Sequence, residues 1–220
     1  MKLVKPSVEI MSKIDGEEIL KHIEAAGRTA YKSESKTKDG SSHGFVRGII
    51  KSGHESVVEH VSLTVRFTCS RAASHQLVRH RLASYTQSSQ RYCCYAKDQF
   101  DNQVTFIEPE GFDSWLQDDQ DDFLGMLSNI ETVYLMMIGR GNIKVEDARL
   151  ILPNACMTEV VATMNLRSWR HFFKLRCDKH AQAEIRNLAI DLLGKFETQI
   201  PVIFEDLAKQ FNVLKSETVV

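Results

Sequence analysis

Residues 62–81, SLTVRFTCSRAASHQLVRHR, place a strand directly before a helix. Leu63, Val65 and Phe67 alternate with Ser62, Thr64 and Arg66, the period-two pattern of a strand with one buried face. Ser70 offers a hydroxyl to the first free N–H groups of a helix predicted to run to about Arg81. Upstream, Asp15 and Glu18 stand at capping-box spacing before the apolar stripe Ile19, Leu20, Ile23 and Ala26. Phe45, Ile49 and Ile50 recur at helical spacing and Gly53 ends that segment.

Downstream, residues 104–107 read as a strand stopped by Pro109, and 112–138 carry the longest helical pattern, ended by Gly139 and Gly141. A short helix at 145–150 stops at Pro153, and 159–164 alternate as a strand with Val161 and Thr163 opposite Val160, Ala162 and Met164. Helices at 168–175 and 180–196 follow, the second ending before Pro201. Strands and helices mix without a regular βαβ period, which predicts an α+β fold: a central, mostly antiparallel sheet flanked by helices. The most loop-like stretch, 33–42, lies too early to divide two domains, so residues 1–220 are read as one.

Of 220 residues, 43% are hydrophobic and 26% charged, the balance of an ordinary globule able to bury a core without disulfides or metal. A net charge of −1 leaves no global field for a polyanion. The longest wholly apolar run, 133–138, is far short of the roughly 20 residues of a membrane span. MKLVKPSVEI meets charge and proline where a leader needs apolar residues, so a cytoplasmic location is expected. Cys69, Cys93, Cys94, Cys156 and Cys177 are odd in number and lack CxxC spacing; reduced thiols are expected, and no metal site.

Neutrality hides segregation. Residues 60–97 contain no Asp or Glu, where the average of 29 in 220 would give about five. The same window carries Arg66, Arg71, Arg79, Arg81, Arg91 and Lys97. Residues 160–177 are also free of carboxylates and hold Arg167, Arg170, His171, Lys174 and Arg176. Clustered arginines in a neutral chain point to a local anionic ligand, because the guanidinium fork matches phosphate and stays charged. A single arginine is as easily satisfied by a surface carboxylate.

The sharpest segment is 79–91, RHRLASYTQSSQR. If the helix reaches Arg81, then Gln76, Arg79 and His80 share one face. The chain then leaves through Ser84, Tyr85 and Thr86 into SSQR, where hydroxyls, amides, backbone N–H groups and an arginine make a phosphate cradle without glycine.

RHR followed by seven residues and a serine (Arg79, His80, Arg81 and Ser89) resembles the signature of the flavin-dependent thymidylate synthases. GHESVVEH at 53–60, DARLILP at 147–153 and NLRSWRHFFKLRCDKHAQ at 165–182 are similar to three further blocks of that family, in the same order. The resemblance implies reductive methylation of dUMP to dTMP, with 5,10-methylenetetrahydrofolate as carbon donor, NADPH as reductant, FAD as cofactor and no enzyme nucleophile on uracil. It also implies a homotetramer with sites shared between subunits.

Carried over by position, Ser89, Gln90 and Arg91 take the dUMP phosphate, with Gln76, Arg79, Gln87 and Arg149 completing the pocket. Arg176 matches the arginine that favours ionisation at uracil N3. FAD falls to Ser56, Arg79, His80, Arg81, Gln87, Asn165, Arg167, His171 and His180, and His54 lies near flavin and folate. Gln87 stands where a glutamate is expected and His171 where an asparagine is common. Two other readings of the basic windows are a nucleic-acid-binding module and an inactive nucleotide-binding relative.

Overall fold

A computed structural model describes residues 1–213. In chain order the elements are β1 (Lys2–Val4), β2 (Ser7–Ile10), α1 (Gly16–Thr29), α2 (Ser41–Lys51), β3 (Ser62–Ser70), α3 (Arg71–Leu77), β4 (Ser84–Gln87), β5 (Thr105–Ile107), α4 (Gln117–Gly139), α5 (Val145–Ala148), β6 (Met157–Asn165), α6 (Leu166–Arg176), α7 (Ala183–Gln199) and α8 (Pro201–Gln210). The fold is α+β, with a mostly antiparallel four-stranded sheet ordered β2-β3-β6-β4 and a separate parallel pair, β1-β5. The chain forms two compact units, and β3 and β6 each contribute residues to both.

The first unit comprises Met1–Ser7, Phe67–Arg79 and Thr86–Val160. Its core gathers Tyr95, Val104, Phe106, Leu127, Tyr134, Ala148 and Cys156. The parallel pair sets Leu3 against Phe106, and Phe106 also bridges to Cys156. Helix α4 buries Leu127 and Tyr134 at i, i+7, and between them Glu131 accepts the Val104 N–H at 2.7 Å. A buried carboxylate is tolerated here because it closes a backbone donor that would otherwise be orphaned.

Among the described residues, the second unit comprises Val8–Arg66, His80–Tyr85 and 161–213. Its core is aromatic: Trp169, Phe172, Phe173, Phe196 and Phe204 are all fully buried. Each contributes up to roughly 3 kcal/mol of burial, and edge-on contacts such as Trp169–Phe172 at 5.6 Å fix their orientation. The Asp15 carboxylate caps α1 by accepting the Glu18 N–H at 3.1 Å. Gly27 on α1 lets Phe45 and Val57 close on the helix, since a Cβ there would lie 2.7 Å from the Phe45 ring.

The alternation of β3 and β6 holds: Leu63, Val65, Phe67 and Cys69 are buried on one strand, Val160, Ala162 and Met164 on the other. The helix opened by Ser70 is capped as expected, the hydroxyl accepting the Ala73 N–H at 3.0 Å, but it ends at Leu77 rather than near Arg81. Tertiary pairing overrides the local pattern there, because the chain must turn back to supply the edge strand β4 beside β6. Gln76, Arg79 and His80 therefore do not share a helical face.

Other boundaries also move. The long helix starts at Gln117; Phe112–Ser114 is a separate tight turn set off by Gly111 at φ +73°. The helix expected at 145–150 stops at Ala148 and continues as the tight turn Arg149–Ile151. Helix α7 starts at Ala183, capped by the Gln182 side chain, so His180 lies outside it. Helix α8, opened by Pro201 where the missing N–H costs nothing, was not signalled by periodicity, nor were the short strands β1, β2 and β4.

Candidate active site

In the first unit the candidate residues surround the end of β4 and the turn after it. The Gln87 amide points into a hydroxyl network, its Nε2 donating to Ser74 Oγ at 3.0 Å and Thr158 Oγ1 at 3.1 Å. Thr158, fully buried, also takes Arg71 Nη1 at 3.1 Å and meets Ser88 Oγ at 2.9 Å. An amide is a donor and a carboxylate is not. The network therefore gives a physical reason for glutamine at position 87.

Ser89 opens a tight turn: its carbonyl accepts the N–H groups of Tyr92 (3.1 Å) and Cys93 (2.8 Å), and its hydroxyl accepts the Arg91 N–H (3.2 Å). Beside it, Gln90 keeps a buried Nε2 with no hydrogen-bond partner. Arg91, exposed, donates Nε to Glu146 Oε2 at 2.7 Å, and Arg149 Nε reaches the Glu146 carbonyl at 3.1 Å. Glu146 thus brings Arg91 and Arg149 to one place. Gln76 at the end of α3 is half-buried, and Arg79 just beyond it is exposed.

In the second unit the candidates form two groups and an outlier. One group lies about the turn Glu55–His60 and the start of α6. His54 and Ser56 are exposed, while Glu55 between them accepts from Arg170 Nε at 3.1 Å and Lys174 Nζ at 3.3 Å. Arg167, exposed on α6, pairs with Glu59. Asn165 spends its side-chain carbonyl on capping α6, accepting the Ser168 N–H at 2.8 Å.

The other group centres on buried His80, with Arg176 Nε 3.0 Å from its Nε2. Tyr85 donates its hydroxyl to the His80 carbonyl at 2.9 Å. The rings of His171 and Phe172 meet the imidazole edge-on at 6.0 and 5.1 Å. Burial, then the neighbouring Arg176 and His171 charges, push His80 down to about 4. Burial pushes the Tyr85 phenol up to about 12 against the pull of Arg176. His80 and Tyr85 are accordingly neutral at working pH, and Arg176 is the charged member. Arg81 is exposed, and so is the outlier, His180, bound through Nδ1 to Asp178 at 2.7 Å.

Thr158, Glu146, Tyr85 and Glu55 acquire places in these clusters that the sequence reading did not assign. No local spacing announces Thr158 or Glu146, because each meets its partners across elements; Glu55 and Tyr85 stood inside recognised blocks without a part assigned to them. Of the thiols, Cys69, Cys94, Cys156 and Cys177 are buried, and burial pushes Cys156 and Cys177 up to about 12.

Residues 12–202 match the family described as thymidylate synthase complementing protein. The flavin-dependent thymidylate synthase of Geobacter sulfurreducens is 42% identical over 163 residues, 74% of this chain and 68% of that protein. The flavin-dependent thymidylate synthase of Mycobacterium avium is 35% identical over an alignment of 224 positions, 93% of this chain and 85% of that protein. The UMP/dUMP methylase PolB of Streptomyces cacaoi, solved with 5-Br dUMP, shares the fold at a TM-score of 0.75 and 24% identity, covering 98% of this chain and 100% of that one. The chain belongs to the thymidylate synthase complementing family, among relatives named flavin-dependent thymidylate synthases.

Proposed function

We propose that the protein is an FAD-dependent thymidylate synthase that methylates dUMP to dTMP, using 5,10-methylenetetrahydrofolate as carbon donor and NADPH as reductant. The observation that carries this reading is Arg176, a half-buried guanidinium held against neutral His80 and beside Tyr85. A fixed cation beside a weak acid stabilises its anion, and uracil deprotonated at N3 is the stronger carbon nucleophile at C5.

The donor sets fit both ligands. Around Ser89, the unpartnered Gln90 amide and the paired Arg91 and Arg149 suit a nucleotide phosphate, with Gln76, Arg79 and Gln87 completing the set. In the second unit, the exposed donors His54, Ser56, Arg81, Arg167 and His171 suit a large anionic cofactor, which His80, Asn165, His180, Arg79 and Gln87 would complete. Bound FAD would supply the two-electron reduction that the methylation needs. The reading gives the phosphate to the first unit's residues and the flavin mainly to the second's, whichever subunit each comes from. It takes the whole chain as one functional domain working as a cytoplasmic homotetramer. Among the described residues no helix is long and apolar enough to cross a membrane.

Burial pushes the Cys156 and Cys177 thiols up to about 12, which argues against either of them as a nucleophile on uracil, since a protonated, enclosed sulfur does not attack. The purified protein should be yellow, oxidise NADPH when given dUMP and methylenetetrahydrofolate, and form dTMP. Arg176→Ala should abolish dTMP formation while leaving the flavin bound. A colourless protein that takes up no added FAD would overturn the proposal.

A further inference from the structure

Thr158 lies on β6, fully buried, and three polar groups close on its one hydroxyl. Arg71 Nη1 approaches at 3.1 Å, Gln87 Nε2 at 3.1 Å and Ser88 Oγ at 2.9 Å. Guanidinium and amide nitrogens only donate, so these two fill both lone pairs of the oxygen. The Thr158 hydrogen therefore goes to Ser88. The Gln87 amide cannot be turned round, because Ser74 spends its own hydrogen on the Arg71 carbonyl at 2.8 Å and can only accept from Gln87.

The bonds converge on Ser88. Its N–H donates to the Glu159 carbonyl at 2.9 Å, and its carbonyl accepts Arg71 Nη1 at 3.2 Å. Its hydroxyl accepts the Glu159 N–H at 3.2 Å together with the Thr158 hydroxyl. Each polar group of Ser88 is thus held by β6 or by the first residue of α3. Thr158 holds one of them itself and seats the guanidinium nitrogen that holds another. The next residue, Ser89, opens the turn that carries Gln90 and Arg91.

We propose that Thr158 is a positioning residue for the nucleotide phosphate: through Ser88 and Arg71 it fixes where the turn Ser89–Arg91 presents its donors. This rests on the reading above that the turn takes the dUMP phosphate. Several donors must converge on one phosphate, and a turn that shifts at its head lengthens their hydrogen bonds together.

The test compares Thr158→Val, which keeps the size and removes the hydroxyl, with Thr158→Ser, which keeps the hydroxyl. In Thr158→Val, the dUMP Kd from calorimetric titration and the KM for dUMP should rise about tenfold, as expected when a charged donor and an amide lose a buried acceptor. The advantage of dUMP over deoxyuridine, read by competition, should shrink by the same factor. At saturating dUMP, kcat should stay within about twofold of the parent, the signature of lost binding rather than lost chemistry. Flavin content should hold, because Gln87 keeps its bond to Ser74. Thr158→Ser should restore both Kd and KM.

Ser88→Ala removes the exposed end of the same link without opening the core. It should weaken dUMP about threefold, and adding it to Thr158→Val should cost nothing further, because the two hydroxyls act as one unit. If Thr158→Val does not fold, unchanged dUMP affinity in Ser88→Ala overturns the inference by itself. A parent protein that binds no dUMP would sink the reading of the phosphate turn, and one that binds dUMP but forms no dTMP would sink the reaction and leave the binding comparison decisive. Parent-like dUMP affinity in Thr158→Val, equal weakening of dUMP and deoxyuridine, a fall in kcat with KM unmoved, or no rescue by Thr158→Ser would each overturn this inference alone.

Discussion

Arg170 grips Asp206 fork to carboxylate, Nη1 2.8 Å from Oδ1 and Nη2 2.7 Å from Oδ2. The same guanidinium reaches the Ile203 carbonyl and Glu55, so one buried cation ties α6 both to α8 and to the turn that carries His54 and Ser56. Four donor contacts compensate the cost of burying a charge, and no single partner could do so alone. Clustered arginine in the sequence pointed to a ligand; for this member the ligand is the protein itself.

Replacing that cation should be costly. Arg170→Met leaves Asp206 without its counter-charge and Glu55 with Lys174 alone, and should lower unfolding free energy by about 3 kcal/mol, the lower end for a broken buried pair because Asp206 keeps access to water. Urea denaturation checks this. A loss below about 0.5 kcal/mol, the size of a surface effect, would show that the network contributes little.

Acid should act through the same pair. Burial alone would raise the Asp206 pKa, but the hydrogen bonds and charge of Arg170 outweigh it and hold the carboxyl below its ordinary 3.8. A depressed carboxyl contributes stability that is complete above the unfolded pKa and disappears as pH falls through the folded one. The urea midpoint should therefore drop below about pH 4, and Asp206→Asn should flatten that drop while being less stable at neutral pH. Equal acid slopes in the two proteins would contradict the assignment.

Close helix packing should be sensitive at Gly27. An added methyl would meet Phe45 at 2.7 Å and Val57 at 2.9 Å, closer than carbon atoms approach without displacement. Gly27→Ala gains about 1 kcal/mol of helix propensity but forces the ring and its neighbours apart, at roughly 1–3 kcal/mol. The expected net is a modest fall in melting temperature, measured by circular dichroism. A rise would mean that Phe45 yields freely.

Thiol labelling should follow burial. At about pH 8 a thiol with a pKa near 12 is thiolate in only about one molecule in ten thousand. Iodoacetamide should label half-buried Cys93 before Cys69, Cys94, Cys156 or Cys177, as read by mass spectrometry of the native protein. Rapid labelling of Cys156 or Cys177 would show local opening.

Local signals located the elements where one residue's chemistry meets its near neighbours. Asp15 caps α1, Ser70 caps α3, and the buried faces of β3 and β6 follow their alternation. Boundaries shifted where distant pairing competes with local preference. The helix after Ser70 could have continued through Arg79–Arg81 on propensity, yet β4 needs that chain as an edge strand. The candidate residues were picked out by type, through the carboxylate-free windows and the RHR block. Its partnerships were not, because Glu146 meets Arg91 across 55 positions and Arg176 meets His80 across 96.

What the sequence determined alone is the α+β class, the caps, the strand faces and the family, all carried by near-neighbour patterns and by blocks of residues in order. Only the tertiary structure decided which cations face solvent and which are spent within the protein. Arg170 and Arg176 lie six residues apart on one helix, with the same chemistry and the same composition around them. One is buried among Glu55 and Asp206 and the other donates to His80, because chain folding, not sequence distance, sets which group each guanidinium meets.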